Sequence, residues 1–302
     1  MKNNSTLLSS KQSLYCVDGL KKYSKNIYSN MLIDDLTVPF SIFLLPKDER
    51  DDFYHIEPKN DPLKGYLSAK AYRLDDYDFD QLLSVVSMHL IVNGKAFVEI
   101  VTFKNSEEKI VGLSFEPVCV KRGIAFYKKY YFRGTNIARK KEPFQVDAKR
   151  IICFDLREMG MKRCYFRKLF HRLAKIDMIN STALSLDQKL NGKYNFDDHH
   201  KRHDFLLLKY THNLYWYGRN SSNQFMSESY LLYRSAHQKL WRKQFLDYLI
   251  KKLNEGLSRY KEELCFEGNI VVKELGYSYY AELAKYDSGE LNAEQLAKKI
   301  YN

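Results

Sequence analysis

The chain has 302 residues, of which 45% are hydrophobic and 28% charged, and its formal net charge is +12. This length allows one large domain or two, and the composition is typical of a soluble globular protein and excludes a disordered one. Five scattered cysteines without a Cys-x-x-Cys pair argue against a disulfide scaffold and a structural zinc site. The longest apolar runs are too short to span a bilayer, and the polar N-terminus lacks the apolar core of a signal peptide, so we expect no membrane partner.

The first quarter of the chain predicts little regular structure. Residues 1–30 are polar and rich in Ser, Asn and Lys, and we expect a flexible N-terminal arm. Residues 31–77 mix short apolar runs with acidic and proline-containing loops, which favours short strands or turns.

A helix followed by a set of strands is predicted next. Apolar residues recur at spacings of three and four through residues 78–92, which is typical of a helix with one buried face: Phe79, Leu82, Leu83, Val86 and Leu90. Asn93-Gly94 can reverse the chain. The candidate strands that follow are Ala96–Phe103, Lys109–Glu116, Val118–Lys121, Ile124–Arg133 and Arg150–Asp155. Such a meander packed on the preceding helix is an α+β unit.

The second half of the chain is predicted to be mainly helical. We expect a helix at 162–190, ended by Asn191-Gly192, and a longer one at 228–258. The segment between them, 193–227, has an irregular pattern in which Phe205–Leu208 suits a strand. The remaining predictions are a strand at Leu264–Lys273, a helix at Ser278–Tyr286, and a last helix begun by Asn292 with Gln295 three residues on.

Four short motifs occur in an order that resembles the portal proteins of tailed bacteriophages. They are Asn93–Ile100 after the helix, Leu113–Val120 with its Pro117, Ala148–Phe154 before a glycine and a long helix, and Ser288–Glu294 near the end. Each motif is short, and it is their order over roughly residues 75 to 300 that carries the resemblance.

The resemblance implies an α+β, portal-like fold in which a β-rich wing accompanies two long stem-type helices and an intervening clip-like segment. The implied divisions are an N-terminal arm at 1–30, a wing-like region at 31–161, stem helices at 162–258 with a clip-like insert at 191–227, and a C-terminal region at 259–302 that returns to the wing. Such a chain is a ring subunit and not an enzyme.

The function implied by the resemblance is a passive channel for double-stranded DNA at a capsid vertex. The expected partners are further copies of the chain in a cyclic ring, the DNA, and the capsid, terminase and connector proteins. The expected location is the virion, with assembly in the host cytoplasm, and no cofactor is implied.

Positive charge is concentrated in the middle of the chain. Residues 101–250 hold 29 basic and 14 acidic side chains, a net +15, whereas 1–100 hold 12 and 14, and 251–302 hold 8 and 9. A phosphate-rich partner and a solubilising surface explain this equally well. The candidate nucleic-acid-binding residues are Lys128, Lys129, Arg133, Lys140, Lys141, Arg163, Arg167, Lys239, Arg242 and Lys243.

Two patterns support those candidates without deciding the matter. The stretch Lys128–Arg133 interleaves cations with aromatics, as in sheets that bind single strands, but an ordinary strand has the same pattern and is the favoured interpretation. Arg163, Arg167, Lys168 and Arg172 form a basic face at the start of the predicted helix, which hints at an anionic partner.

The densest group of metal-capable residues is Asp197–Asp204, and we favour a solvated turn or clip loop there over a metal site. If this segment were helical, His199 and His203 would share a face, but Lys201 and Arg202 oppose a cation. Neither a phosphate-binding loop nor a nucleophile elbow occurs in the sequence. Two alternatives to a portal subunit stay open: a soluble basic nucleic-acid-binding protein, acting for example in phage–host conflict, and an enzyme of unrecognised class that uses the Asp/His group.

Overall fold

The computed structural model describes residues 26–45, 50, 52–68, 76–118, 120–122, 130–132, 144–187, 196–218, 227–274 and 278–301. It contains both helix and sheet, which agrees with the predicted α+β class. Unit 1 comprises Thr37–Arg163 and Phe245–Lys273, and unit 2 comprises the described parts of Lys21–Leu36, Cys164–Gln244 and Glu274–Asn302. The chain passes from unit 1 to unit 2 after Arg163, and residues 259–302 are divided between the two units.

The elements have the following bounds. The helices are α1 Ile27–Thr37, α2 Phe40–Leu44, α3 Leu63–Ser68, α4 Asp76–Asn93, α5 Tyr165–Asp187, α6 Phe196–Tyr210, α7 Glu228–Leu257, α8 Lys261–Leu264, α9 Tyr279–Asp287 and α10 Ala293–Tyr301. The strands are β1 Tyr54–Glu57, β2 Lys95–Lys104, β3 Ile110–Pro117, β4 Val120–Arg122, β5 Tyr130–Phe132, β6 Phe144–Val146, β7 Ile151–Asp155 and β8 Asn269–Val272.

The centre of unit 1 is an antiparallel sheet in the order β3-β2-β7, preceded by α4. The predicted helix is confirmed, and each of the five residues of its apolar stripe is buried. The reversal at Asn93-Gly94 is also confirmed, because Gly94 has a φ of +72°. A side chain at Gly94 would collide with the backbone carbonyl of Arg163, so glycine is required there for space as well as for conformation.

Strand β2 is buried on both faces, whereas its sequence pattern predicts a strand buried on one. Val98 and Ile100 are fully buried on one face, but Glu99 and Val101 on the other are only 4% and 6% exposed. A central strand has neighbours on both edges, and here both faces are covered as well. This places a carboxylate, Glu99, inside the protein.

Glu99 lies directly opposite Glu116 in the β2–β3 ladder. Arg150 donates a hydrogen bond of 2.8 Å from its guanidinium to Glu99 Oε1, whereas Glu116 Oε2 is buried and has no hydrogen-bond partner among the described residues. Burial raises the pKa of both carboxyls; Arg150 partly offsets the rise for Glu99, and the neighbouring Glu99 adds to it for Glu116.

Helix α7 is confirmed close to its predicted bounds and contributes to both units. Its residues up to Gln244 belong to unit 2, and those from Phe245 onward belong to unit 1. In unit 1 its Gly256 lies so close to the side chain of Ile152 that a Cβ there would collide with it. The same half of the helix holds β8, because the Asn254 side chain exchanges hydrogen bonds of 2.8 and 2.9 Å with the backbone of Ile270.

In unit 2 the C-terminal helices pack on the first half of α7. Leu232 and Ala236 of α7 form a buried cluster with Leu283 of α9 and Leu296 of α10. The predicted start of the last helix is confirmed: the Asn292 and Gln295 side chains each accept a hydrogen bond of 2.9 Å from the other's backbone N–H.

A buried arginine ties the end of α6 to α7. Arg234 is 1% exposed, and its guanidinium donates to the backbone carbonyls of Tyr215, Thr211 and Trp216 at 3.2, 3.4 and 2.8 Å. Tyr215 has a φ of +54°, which is uncommon for a residue other than glycine. The hydrogen bonds to Arg234 hold the chain in this turn.

Two predictions for the first 77 residues are wrong. The arm was expected to extend to residue 30, but α1 begins at Ile27, and Ser29 is fully buried. Residues 31–77 contain α1, α2 and α3 besides β1. In α1, Leu32, Ile33 and Leu36 have helical spacing, and this short pattern was obscured by the acidic and proline-containing residues that follow.

Within the segment 193–227, which was expected to be irregular, residues 196–210 form helix α6, so Phe205–Leu208 is not a strand. Its inward positions are four apart: His203, Leu207 and Thr211 are all buried. Lys209 occupies the last turn, where a cation interacts favourably with the helix dipole. Strand β6 was also missed. The strand predicted at Ile124–Arg133 is described only as β5, and that at Leu264–Lys273 shortens to β8.

Replacing Gly94 by alanine should destabilise the protein more than replacing Gly160, although both glycines have a positive φ, +72° and +74°. Either substitution forces alanine into a left-handed conformation, at about 1–2 kcal/mol. Only Gly94→Ala also drives a Cβ into a backbone carbonyl, which adds roughly 1–3 kcal/mol. Urea unfolding of both variants measures the loss in free energy of unfolding, and equal losses would contradict the close approach at Gly94.

Glu116→Gln should make the protein more stable at about pH 8, and the gain should shrink toward about pH 4. Burial raises the pKa of Glu116 in the folded state, so its ionised form destabilises the fold as the pH rises through that value. Below the unfolded pKa the carboxyl is protonated in both states, and the amide then changes little. Thermal unfolding across this range tests the trend, with the exposed Glu107→Gln on the β2–β3 turn as the control. A stability gain of Glu116→Gln that increases as the pH falls would contradict the buried, ionised carboxyl.

Candidate nucleic-acid interface

The outward face of α5 carries only basic side chains, histidine included, in the part whose side chains the structure describes, residues 165–176. Its five exposed positions are spaced by one or three residues, which places them on one side of a helix. They are Arg167, Lys168, His171, Arg172 and Lys175. The opposite side is apolar and buried through Phe166, Leu169, Phe170, Leu173 and Ile176. Burial of this apolar side therefore fixes the direction in which the basic side faces.

Helix α6 extends this surface. Lys201, Arg202 and Lys209 are exposed, and Phe205 is 62% exposed between them. Helices α5 and α6 meet where the guanidinium carbon of Arg172 lies 5.6 Å from the centroid of the Tyr210 ring. We call the exposed residues of the two helices the basic face: Arg167, Lys168, His171, Arg172, Lys175, Lys201, Arg202, Phe205 and Lys209.

In residues 165–176 and 201–210, whose side chains the structure describes, exposed acidic side chains do not offset this charge. Between residues 165–176 and 201–210 the single carboxylate is Asp204, which is 13% exposed and lies 3.2 Å from Nδ1 of His203. Because cations predominate in these two stretches and no exposed carboxylate lies within them, they have a positive potential. It suits a partner with a regular array of phosphates.

Five of the ten predicted binding residues lie outside the described residues: Lys128, Lys129, Arg133, Lys140 and Lys141. Strand β5, which lies between these residues in the sequence, pairs with β4 and β6 in a sheet of the order β4-β5-β6. Among the other five predicted residues, Arg167 is exposed and belongs to the basic face.

Arg163 is paired within unit 1 and does not contribute to the basic face. Its Nε donates to both carboxylate oxygens of Asp155, at 3.0 and 2.9 Å. Burial alone would raise the pKa of the Asp155 carboxyl, but hydrogen bonds from the Arg163 side chain and the Arg157 backbone hold that pKa well below its usual range. The arginine that the sequence placed at the start of a DNA-binding helix is thus held in an ion pair.

Arg242 corrects the prediction most clearly, because it is fully buried. Its guanidinium donates to the backbone carbonyl of Leu36 within unit 2. A charge held inside the protein cannot contact a DNA phosphate. Lys239 and Lys243 are partly buried on the same helix, and burial lowers the pKa of Lys239.

Sequence reasoning missed six of the nine residues of the basic face. Lys168 and Arg172 were recognised at the start of α5, but His171, Lys175 and the residues of α6 were not. A helical repeat was present in α6, with His203, Leu207 and Thr211 four apart, and it would have placed Lys201, Phe205 and Lys209 together on the outside.

In the Asp/His group of α6, the side chains of His203 and Asp204 are described, and His203 faces inward. His203 is 4% exposed, its ring centroid lies 5.1 Å from that of Tyr28, and it packs as part of the core. Nowhere in the described parts of the chain do three or more His, Cys, Asp or Glu residues come together as metal ligands.

No protein-family model matches the chain, and no curated protein matches it. Within the described residues no helix combines the length and the apolar character that a membrane crossing requires.

Removing three charges from α5 should weaken binding to duplex DNA and reduce its salt dependence. In the triple variant Arg167→Gln, Lys168→Gln, Lys175→Gln, each lost phosphate contact lowers the slope of log K against log salt by about 0.9. Fluorescence anisotropy over a salt series measures that slope.

The matched control removes three exposed lysines of unit 1 by Lys59→Gln, Lys64→Gln and Lys251→Gln, with the same change in net charge. This control should keep nearly the parental slope. If the slope of log K against log salt falls equally in both triple variants, binding depends on overall charge and α5 is not the interface.

Proposed function

We propose that the chain is a subunit of a portal-like ring that surrounds double-stranded DNA at a phage capsid vertex. The observation that carries the DNA contact is the basic face of α5, on which every exposed described position is cationic or histidine. The order of elements supports the comparison with portal proteins: helix α4, the Gly94 turn, strands β2 to β7, Gly160, and then the long helices α5 and α7.

The proposed mechanism is passive. Helix α5 has 23 residues and is about 34 Å long, which is close to one turn of B-form DNA. In a ring this helix repeats around the axis, so the duplex meets the same cations at every angle. Individual phosphate contacts are weak and exchange with salt ions, which lets DNA move without being released.

Ring formation requires contacts that are heterologous and that close on themselves. The proposed partners are therefore further copies of the chain, together with capsid, terminase and connector proteins, and the proposed location is the virion after assembly in the host cytoplasm. The subunit has no catalytic role in this proposal. Energy for moving DNA comes from the packaging motor that docks on the ring.

A second candidate function is a soluble nucleic-acid-binding protein that acts as a monomer or dimer. The observation in its favour is that the basic face lies within one unit of one chain and includes an exposed aromatic ring, Phe205. Such a surface can bind nucleic acid without a ring.

Negative-stain electron microscopy of the purified protein at moderate salt distinguishes the two functions. Rings with a central hole are expected, accompanied by a fast-sedimenting species in analytical ultracentrifugation. A protein that never assembles beyond a dimer, even with capsid partners present, would rule out the portal proposal. Salt-dependent binding by that monomer or dimer would then support the second function.

A further inference from the structure

The outer side of α6 presents one aromatic ring among cations. Phe205 is 62% exposed, and Lys201 and Lys209 lie one turn before and one turn after it on the same side of the helix. The Lys209 ammonium is 5.7 Å from the centroid of the Phe205 ring, within the range of a cation–π interaction. Arg202 is exposed beside them.

A single exposed apolar residue is ordinary on a protein surface, so the surroundings of Phe205 matter more than its exposure. In residues 165–176 of α5 and 201–210 of α6, whose side chains are described, every other exposed side chain is Lys, Arg or His. The apolar residues of α6 that pack inward, such as Leu207, are buried, and Phe205 points away from them. The packing of α6 thus leaves the Phe205 ring exposed to solvent.

We propose that Lys201, Arg202, Phe205 and Lys209 form a binding surface for single-stranded nucleic acid, in which an unpaired base stacks on Phe205 and the cations contact the flanking phosphates. Stacking on an aromatic ring needs an exposed base face, and cations on either side suit the charged backbone that links successive bases. Successive members of the row Lys201, Phe205 and Lys209 are separated by about 6 Å along the helix axis.

Other partners suit this surface less well. A specific protein interface covers about 800 Å² per partner around an apolar centre, and one phenylalanine supplies a small part of that. A helix that binds a lipid surface needs a broad apolar face, which the exposed residues in the described stretch 201–210 do not form. In a duplex the bases are stacked on each other, so the ring would have nothing to stack on.

This inference goes beyond the proposed function, since it requires neither a ring nor a duplex. Its failure is also distinguishable from failure of the portal proposal, because ring assembly is observed separately by microscopy. The shared chemistry is an unpaired base on a phosphate backbone, and either DNA or RNA can supply it.

The test compares the full-length protein with its Phe205→Ala variant by fluorescence anisotropy. The probes are a 20-nucleotide oligo-dT, a 20-nucleotide oligo-U and a 20-base-pair duplex. Loss of one stacked base should weaken binding to the single strands roughly ten-fold or more and leave duplex binding within about two-fold. A loss confined to oligo-dT or to oligo-U identifies DNA or RNA as the partner.

Two further variants sharpen the test. Tyr280→Ala removes a ring that is 72% exposed on α9 of the same unit and should change none of the three affinities. Phe205→Trp keeps a stacking surface and should restore single-strand binding. Because position 205 is exposed, both Phe205 variants should melt at the parental temperature.

Three results would overturn the proposal. One is an equal loss of affinity for single strands and duplex, which would make the surface a general polyanion site. Another is unchanged affinity of Phe205→Ala for every probe. The third is binding to phosphatidylserine vesicles that depends on Phe205 while oligonucleotide binding does not, which would make the surface a lipid site.

Discussion

The carboxylate of Asp155 holds together the part of unit 1 from which helix α5 departs. It is 5% exposed and accepts hydrogen bonds from the backbone N–H of Arg157 at 3.1 Å and from the Arg163 side chain, and the Lys95 ammonium lies 3.5 Å away. Burying one negative charge is unfavourable unless it is paired, and here it is paired several times over. The end of β7, the start of β2 and the last residue before Cys164 therefore meet at one point.

The same junction favours an arginine at position 163 and a glycine at position 94. The Arg163 side chain pairs with Asp155, and the Arg163 backbone lies against the turn at Gly94. A Cβ at position 94 would collide with the Arg163 carbonyl. The hydroxyl of Tyr248 on α7 accepts a hydrogen bond of 2.8 Å from the Asp155 backbone N–H, which connects the same point to the helix that covers the sheet. A charged pair, a turn and a helix contact are thus one interdependent arrangement.

Sequence patterns predicted those parts of the fold where local and tertiary preferences agree. The apolar repeat of α4, the reversal at Asn93-Gly94 and the capping pair Asn292–Gln295 depend on residues a few positions apart, and all are confirmed. The fates of Arg163 and Arg242 were not predictable in the same way. The sequence around an arginine does not show whether the side chain pairs with a nearby carboxylate, as Arg163 does with Asp155, or with a distant backbone carbonyl, as Arg242 does with Leu36. The basic face became visible only when burial separated such arginines from the exposed ones.

Helix α7 has a consequence for how the protein can fold. Leu232 and Ala236 contribute to the interior of unit 2, whereas Phe245, Leu249 and Leu253 on the same helix are buried in the half that belongs to unit 1. Neither unit is encoded by a contiguous stretch of the sequence, since the chain passes from one to the other several times. Severing the 30-residue helix after Gln244 would leave two pieces of marginal length for an isolated helix in water. A nascent chain therefore cannot complete the core of unit 1 until the segment Phe245–Lys273 has emerged from the ribosome, after residues 164–244 of unit 2.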